Sequence, residues 1–542
     1  MFMPTFNSET KTWEGPNVPY NFELNTSIGA ELFKKLADTP DRVLQISHED
    51  GISLTCKQAR IASIRVAQNL TELGYTQGDV FAFICRNGTD LLPTLYGSFL
   101  VGAAVNPLDA GFKKDDIKHI FRQTKPKLVF CDGDVYEITK IALDDLKNDA
   151  RIITLRSKVA GATFIGDLLN TTGKEESFEV PNFGNTTNKL AVILCSSGTT
   201  CDSKGVCLSH ANVLSYLEMF NQSQSFRVLS FSPIFWSTGL ISSILAAFRP
   251  SDSRVVTTSP FSVELLVHLI KKYEINFFQA SPYQLTLLLQ SNLLDPRDFV
   301  GVRIFYLTGS TVSENLRKEF HATFPRHQLI VSYGMSESLV MISATEPTDS
   351  INGLTVGRIS PNIHVKVVDY DGNPLDNGQK GEILGYMNNP QASASAVDPS
   401  GFILTGDIGY IDDYGCIFII DRKKEVMKCK GYQVNPSEIE NVIESIEGVQ
   451  ISAVVDIRVN PTATSLIAAV VVKRAEFEEL SEEFIINFVA ENLPEYKQLS
   501  GGVHFIELDE LPLTPSGKIQ KRFVKVVAIR EYKEKMALKD YQ

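Results

Sequence analysis

The chain has 542 residues, 43% of them hydrophobic and 21% charged. That balance excludes wholesale disorder and collagen-like or low-complexity architecture, and the length allows three or four domains of about 150 residues, or two unequal ones. The formal net charge of −12 lacks the basic surplus that neutralises phosphate, so nucleic acid is not an expected partner.

The opening residues, Met1-Phe-Met-Pro-Thr-Phe-Asn7, have neither a basic n-region nor an apolar h-region, so no secretory leader is expected. The eight cysteines include no C-x-x-C pair and no Cys/His cluster at zinc spacing, which predicts reduced thiols in an intracellular chain. The longest apolar stretch, Leu95 to Val105 with Gly97 and Ser98 inside it, is shorter than the ~20 residues that span a bilayer. It predicts a buried helix.

Short β-branched or aromatic runs then alternate with longer amphipathic ones, the pattern of βαβ units around a largely parallel sheet. A strand is predicted at Leu190–Leu194, followed by a polar loop and a helix from Ser209. Further strands are expected at Val228–Phe231, Ile275–Gln279, Val302–Leu307 and Gln328–Ser332. Between the last two, Ser313 is placed to cap a helix whose Leu316, Phe320 and Phe324 share one face. Loops at the carboxyl ends of such strands are where open α/β sheets bind ligands. After about residue 350, short strands and turns such as Asp371-Gly372-Asn373-Pro374 predict a small antiparallel barrel or sheet. The charged run Asp421-Arg-Lys-Lys-Glu425 reads as a connector, and an α+β segment beyond it ends in a helix around Phe523–Lys539.

The loop after Leu194 reads Cys195-Ser-Ser-Gly-Thr-Thr200, with Lys204-Gly205 after it. Small residues let backbone N–H groups approach a phosphate, hydroxyls add donors and the lysine adds charge. This is phosphate-cradle chemistry without a Walker A pattern, because Ser516-Gly517-Lys518 lacks both the leading glycine and the trailing hydroxyl. Four more strings follow in order: Tyr333-Gly-Met-Ser-Glu337, Thr405-Gly-Asp407, Asp421-Arg422 through Lys428-Cys-Lys-Gly-Tyr-Gln433, and Pro515-Ser-Gly-Lys518.

Together these strings resemble the adenylate-forming superfamily of acyl-CoA synthetases, coumarate CoA ligases and firefly luciferase, over about residues 30 to 530. The resemblance implies an α/β fold with a large N-terminal body of mixed sheets flanked by helices, plus a small β-barrel, over residues 1–421. A small mobile α+β C-terminal domain would follow over 422–542. It also implies an ATP-dependent acid–thiol ligase that makes acyl-CoA from a hydrophobic carboxylic acid, of medium or long chain, through an acyl-adenylate. ATP, Mg²⁺ and coenzyme A would be needed, and no transmembrane segment.

Residue by residue, the resemblance assigns Ser196, Ser197, Gly198, Thr199, Thr200 and Lys204 to the nucleotide's phosphates, and Ser336 to phosphate with them. Glu337 would hold Mg²⁺, Tyr333 would pack on adenine, and Asp407 would accept both ribose hydroxyls. Lys518 would stabilise charge on the α-phosphate, the largest lever such chemistry offers. Arg422 and Lys424 lie in the hinge segment, and the face bearing Lys428, Gly431 and Gln433 would close on the site for thioester formation. In Ser232-Pro-Ile-Phe-Trp-Ser-Thr-Gly239, Trp236 is the expected gate beside the carboxylate. No acid in this loop pairs an α-ammonium, which argues against an amino-acid substrate.

The chain departs from the family at Cys201-Asp202-Ser203 in the phosphate loop, at Thr308-Gly309-Ser310-Thr311, and where Ile383 runs directly into Leu384 without a further strand. These departures keep open a catalytically impaired relative that binds nucleotide or acyl-CoA, while a luciferase-type monooxygenase shares the same motifs. Some luciferase-like relatives are peroxisomal through a terminal Ser-Lys-Leu; this sequence ends Lys539-Asp-Tyr-Gln542, so a cytoplasmic protein is expected.

Overall fold

The computed structural model of the protein describes residues 3–19, 23, 25–196, 204–218, 225–336, 340–345, 354–387, 397–429, 432–458, 465–514 and 517–539. Two large sheets organise the described residues from Val43 to Ile359. One has seven strands, parallel from Leu190–Ser196 through Ala104–Leu108, Val80–Ile84, Leu128–Asp132 and Arg151–Leu155 to Thr163–Phe164. The other has nine, with six parallel strands at its centre: Gln328–Met335, Ile304–Leu307, Phe277–Ala280, Arg227–Ser230, Ser253–Val256 and Val43–Ser47.

Helices Ile28–Asp38, Cys56–Glu72, Leu91–Val101 and Ser237–Phe248 share one hydrophobic core with the seven-stranded sheet. Every residue of Leu91–Val101 is buried, as expected for a helix that is apolar all round. Its glycine has a packing reason: a Cβ on Gly97 would lie 2.6 Å from Val66 Cγ1, so only a bare backbone lets helix Cys56–Glu72 come this close. Tyr96 of the same helix donates its hydroxyl to the Ser243 carbonyl at 2.6 Å, which fixes helix Ser237–Phe248.

The helix expected from Ser209 is present as His210–Glu218, but the segment read as a polar loop before it contains a second strand and makes a hairpin. Leu190–Ser196 and Lys204–Ser209 pair antiparallel with Ser196 opposite Lys204, and the helix His210–Glu218 starts only after the second strand. A β-branched and apolar run at Val206–Leu208 satisfies its backbone against a neighbouring strand more readily than in a helix turn.

The expected small barrel is an open six-stranded antiparallel sheet in the order Thr5–Asn7, Thr12–Glu14, Ile363–Val368, Gly381–Met387, Ile403–Ile411 and Ile417–Arg422. Closure would need the first and last strands to pair. Ile417 at the start of the last strand is already engaged, donating to the Gly357 carbonyl and accepting from Val356, each at 2.9 Å. The direct run of Ile383 into Leu384 leaves no open edge, because Gly381–Met387 is one strand bonded on both sides, with a register shift between Glu382 and Leu384.

Beyond Glu425, a hairpin of Met427–Cys429 and Tyr432–Val434 leads to a three-stranded sheet, Val449–Ile457, Leu466–Lys473 and Val503–Phe505. Helices Pro436–Glu444, Glu482–Asn492 and Lys521–Lys539 flank it. Among the described residues no helix is long and apolar enough to cross a membrane, and no disulfide forms.

Replacing Gly97 by Val should overpack the contact with Val66 and lower unfolding free energy by about 1–3 kcal/mol, measured by denaturant titration.

Candidate functional site

A cavity of about 640 Å³ lies along four of the six parallel strands of the nine-stranded sheet, Arg227–Ser230, Phe277–Ala280, Ile304–Leu307 and Gln328–Met335, and reaches the start of a fifth, Ser253–Val256. Its sheet wall carries Val228, Ser230, Phe277, Gln279 and Tyr306; the loops after those strands add Trp236, Thr308, Gly309 and Ser310. The six-stranded antiparallel sheet closes the other side with Thr405, Gly406, Asp407 and Arg422. Lys518, from the far end of the chain, completes the lining.

Asp407 is the electrostatic centre of this arrangement. It is only 6% exposed, and it lies in strand Ile403–Ile411 directly across from Arg422, so sheet register alone sets the two side chains together. Arg422 Nε is 3.4 Å from Asp407 Oδ1, and Tyr333 donates its hydroxyl to Asp407 Oδ2 at 2.6 Å. Thr405 Oγ1 donates to the Ile383 carbonyl at 2.6 Å and accepts from the Asp407 N–H at 3.0 Å, fixing the backbone. Gly406, with φ of 71°, supplies the left-handed turn between them. Burial pushes the Asp407 carboxyl above its ordinary value, against the opposing pull of Arg422, the Tyr333 hydroxyl and Lys518. Burial and the Asp407 charge raise the Tyr333 phenol well above its ordinary value. That hydroxyl therefore stays protonated and remains a donor.

Lys518 reaches the cavity from a tight turn: its carbonyl accepts from the Thr514 N–H at 2.8 Å and its own N–H donates to Thr514 Oγ1 at 3.0 Å. Gly517 in this turn has φ of 79°, and a Cβ there would lie 2.5 Å from Tyr283 Cδ1. The turn thus seats on the large body through a glycine. Asn315 Nδ2 donates to the Glu444 carbonyl at 3.1 Å, and Arg474 pairs with Glu319, so the C-terminal segment touches helix Glu314–Thr323 as well.

Trp236 precedes helix Ser237–Phe248 as its N-cap, with its ring 4.7 Å from that of Phe235. Its indole Nε1 is buried without a hydrogen-bond partner among the described residues. Ser336 and Lys424 also line the cavity. Lys428 and Gln433 do not: both are exposed on the hairpin after Glu425, where Gln433 Oε1 accepts from the Tyr370 hydroxyl at 2.8 Å. Ser196 ends one hairpin strand and Lys204 begins the next. Ser197, Gly198, Thr199, Thr200, Glu337 and Gly431 lie outside the described residues, and so do Cys201, Asp202 and Ser203. Among the described residues no cluster of three or more His, Cys, Asp or Glu side chains forms a metal site.

The sequence profile of the AMP-binding enzyme family matches residues 32–390, and that of the AMP-binding enzyme C-terminal domain matches residues 438–518. The chain belongs to the AMP-binding enzyme family. A probable 4-coumarate–CoA ligase 3 of Dictyostelium discoideum is 28% identical over 532 residues, covering 91% of this chain and 94% of its own. The 4-coumarate–CoA ligase 3 of Oryza sativa subsp. japonica is 27% identical over 512 residues and 90% of each chain. Among solved structures, the luciferase-like enzyme from the nonluminescent mealworm Zophobas morio superposes with a TM-score of 0.70 at 28% identity, covering 76% of this chain and 99% of that one. ATP-bound MatB from Rhodopseudomonas palustris superposes with a TM-score of 0.83 at 24% identity, over 94% and 100%, a likeness of fold.

Sequence reasoning did not find Ser230, Gln279, Arg249 or Arg254, all of which line the cavity of this AMP-binding enzyme. The signal for the first two was alternation: Val228 and Ser230, like Phe277 and Gln279, lie two apart in strands whose neighbouring loops were already suspect.

Replacing Tyr333 by Phe removes a donor to a buried carboxylate and is expected to raise the Asp407 pKa further. Carboxyl-stretch infrared titration, with Asp407→Asn to assign the band, would read the upward shift. The same change should cost about 1.5–3 kcal/mol of stability, as for a hydrogen bond to a charged group.

Proposed function

We propose that this protein is an ATP-dependent acid–thiol ligase acting on a hydrophobic carboxylic acid of medium or long chain. The acid's carboxylate oxygen attacks the α-phosphate of ATP, and pyrophosphate leaves to give an acyl-adenylate. The coenzyme A thiol, losing its proton, then attacks the acyl carbonyl, and AMP leaves as the thioester forms. The observation that carries this reading is the convergence of Lys518 with Trp236, Tyr333 and Asp407 on one cavity, from segments up to nearly 300 positions apart.

Each group fits its proposed part. A carboxylate is an acceptor-only group, so Asp407 is suited to two ribose hydroxyls, with Arg422 and Tyr333 holding it beside the nucleotide. The Tyr333 ring stands at the same place for adenine. Lys518 offers fixed positive charge where the α-phosphate gains negative charge, in a site whose low dielectric magnifies it. Ser336 and the loop from Ser196 to Lys204, including Ser197, Gly198, Thr199 and Thr200, are proposed for the phosphates, with Glu337 for an accompanying Mg²⁺. Trp236 is proposed to border the acid's carboxylate, where its indole N–H has no protein acceptor among the described residues. Val228, Ile241, Leu245 and Phe277 give the cavity apolar walls, which favours a hydrophobic acyl group.

Lys428 and Gln433 lie exposed outside the cavity while Lys518 lines it. We therefore propose that residues 422–542 turn relative to 1–421 about the segment from Asp421 to Lys424. That motion withdraws Lys518 and brings the face bearing Lys428, Gly431 and Gln433 to the site for thioester formation. One pocket then serves two half-reactions, and closure keeps water from a hydrolysable intermediate.

The division of labour is testable by following the half-reactions separately over a panel of short to very long acids. Lys518→Ala should lower pyrophosphate release by about 10²–10³-fold. Lys428→Ala should leave pyrophosphate release largely intact and slow thioester formation by at least about tenfold. Wild-type protein that binds ATP and releases pyrophosphate with no acid in the panel would sink the ligase reading.

A further inference from the structure

The inner end of the cavity holds more positive charge than the protein neutralises. Arg249, Arg254 and the carboxylate of Asp252 line it, and Arg42, outside the lining, binds the Asp252 backbone. Arg249, at the end of helix Ser237–Phe248, has its Nε 2.9 Å from Asp252 Oδ2, and its Nη2 is buried without a hydrogen-bond partner among the described residues. Arg42 donates to the backbone carbonyls of Ala246 and Asp252. Arg254, in strand Ser253–Val256, is 5% exposed and donates Nη1 to Ser243 Oγ. Burial holds its guanidinium below the ordinary value, at about 10, and no described carboxylate offsets that charge. A buried cation is normally paired, yet among the described residues Arg254 has the Ser243 and Tyr96 hydroxyls near it, no carboxylate, and the cavity it lines.

Strand register says where in the cavity this charge lies. Ser230 pairs with Gln279 and Gln279 with Tyr306, while Arg254 pairs with Val228 and Val228 with Phe277. Residues two apart on a strand share a face at a separation of about 6.6 Å. The sheet wall therefore has an outer row of Ser230, Gln279 and Tyr306 next to the loops that carry Trp236 and Thr308. An inner row of Val228, Phe277 and Arg254 lies about 6.6 Å further from those loops. A hydrocarbon tail running along this wall would end against a guanidinium.

We propose that the acid this protein activates carries a second carboxylate at its far end, bound by Arg254 with Arg249 beside it: the substrate class is a dicarboxylic acid with an apolar spacer. The assignment rests on the ligase reading only in that this cavity holds the acyl group. The reacting carboxylate lies near Trp236 and Lys518, the spacer runs along Val228, Phe277, Ile241 and Leu245, and the distal carboxylate supplies the missing counter-charge. A guanidinium fork in a dry site is well matched to a carboxylate and poorly matched to a methyl end.

The test compares α,ω-diacids with monoacids of matched chain length, from short to long, using wild type, Arg254→Met and Arg254→Lys. Two readouts are taken: kcat/KM for pyrophosphate release, and calorimetric binding of each acid with AMP present. Wild type should favour some diacid over its matched monoacid by at least about tenfold, and Arg254→Met should collapse that ratio by on the order of 10²-fold, with Arg254→Lys between. If Arg254→Met does not fold, as judged by thermal melting, Arg249→Met and the wild-type preference carry the test. Equal or stronger use of monoacids by wild type, or parallel loss on both acids in the variant, overturns the proposal while the ligase reading stands. Arg254-dependent diacid binding without pyrophosphate release from any acid upholds the subsite and overturns the ligase reading. Neither turnover nor a diacid preference in binding overturns both.

Discussion

The structure turns on one buried carboxylate. Asp407 loses nearly all contact with water, a state that is costly unless opposite charge and hydrogen bonds replace it. Its partners arrive from different parts of the chain: the Tyr333 hydroxyl from the edge of the nine-stranded sheet's parallel core, and Arg422 from the next strand of the antiparallel sheet. The two sheets must therefore meet at this point. An apolar cluster beneath it, with Ile342 and Ile359 from one sheet and Ile363, Val365 and Ile383 from the other, holds them there. Since Arg422 also belongs to the run of charges that leads to the C-terminal segment, the site and the connection to that segment share a residue.

Much of this was legible because it is local. Ser313 caps a helix and accepts from the Leu316 N–H, and Phe320 and Phe324 are fully buried on the face their spacing gives them. The strands at Leu190, Val228, Gln328 and Ile304 lie within two positions of their expected starts. Tyr333, Asp407, Arg422 and Lys518 each belong to a short string whose order along the chain is itself informative, and the cavity gathers all four.

What was hidden depends on partners distant in sequence. Nothing near Glu14 says that it will lie opposite His364, so the contribution of the N-terminal strands to the antiparallel sheet could not be read. The run Val206–Leu208 is consistent with the end of a polar loop until its antiparallel partner is known. Arg254 looks like a single charge in a β-branched strand. Its meaning comes from Ser243 on a helix and from the absence of a described carboxylate beside it, both products of packing.

The glycine seat of Lys518 ties two processes that a sequence keeps far apart. Tyr283 opens helix Pro282–Leu289, while Ser281, which caps it, and Gln284, in its first turn, line the cavity. The ring that receives Gly517 therefore stands on the same helix end as the wall that meets the ligand. One helix end thus carries both the seat of the lysine turn and part of the cavity wall, so a substitution that displaces it disturbs the two together through steric fit alone.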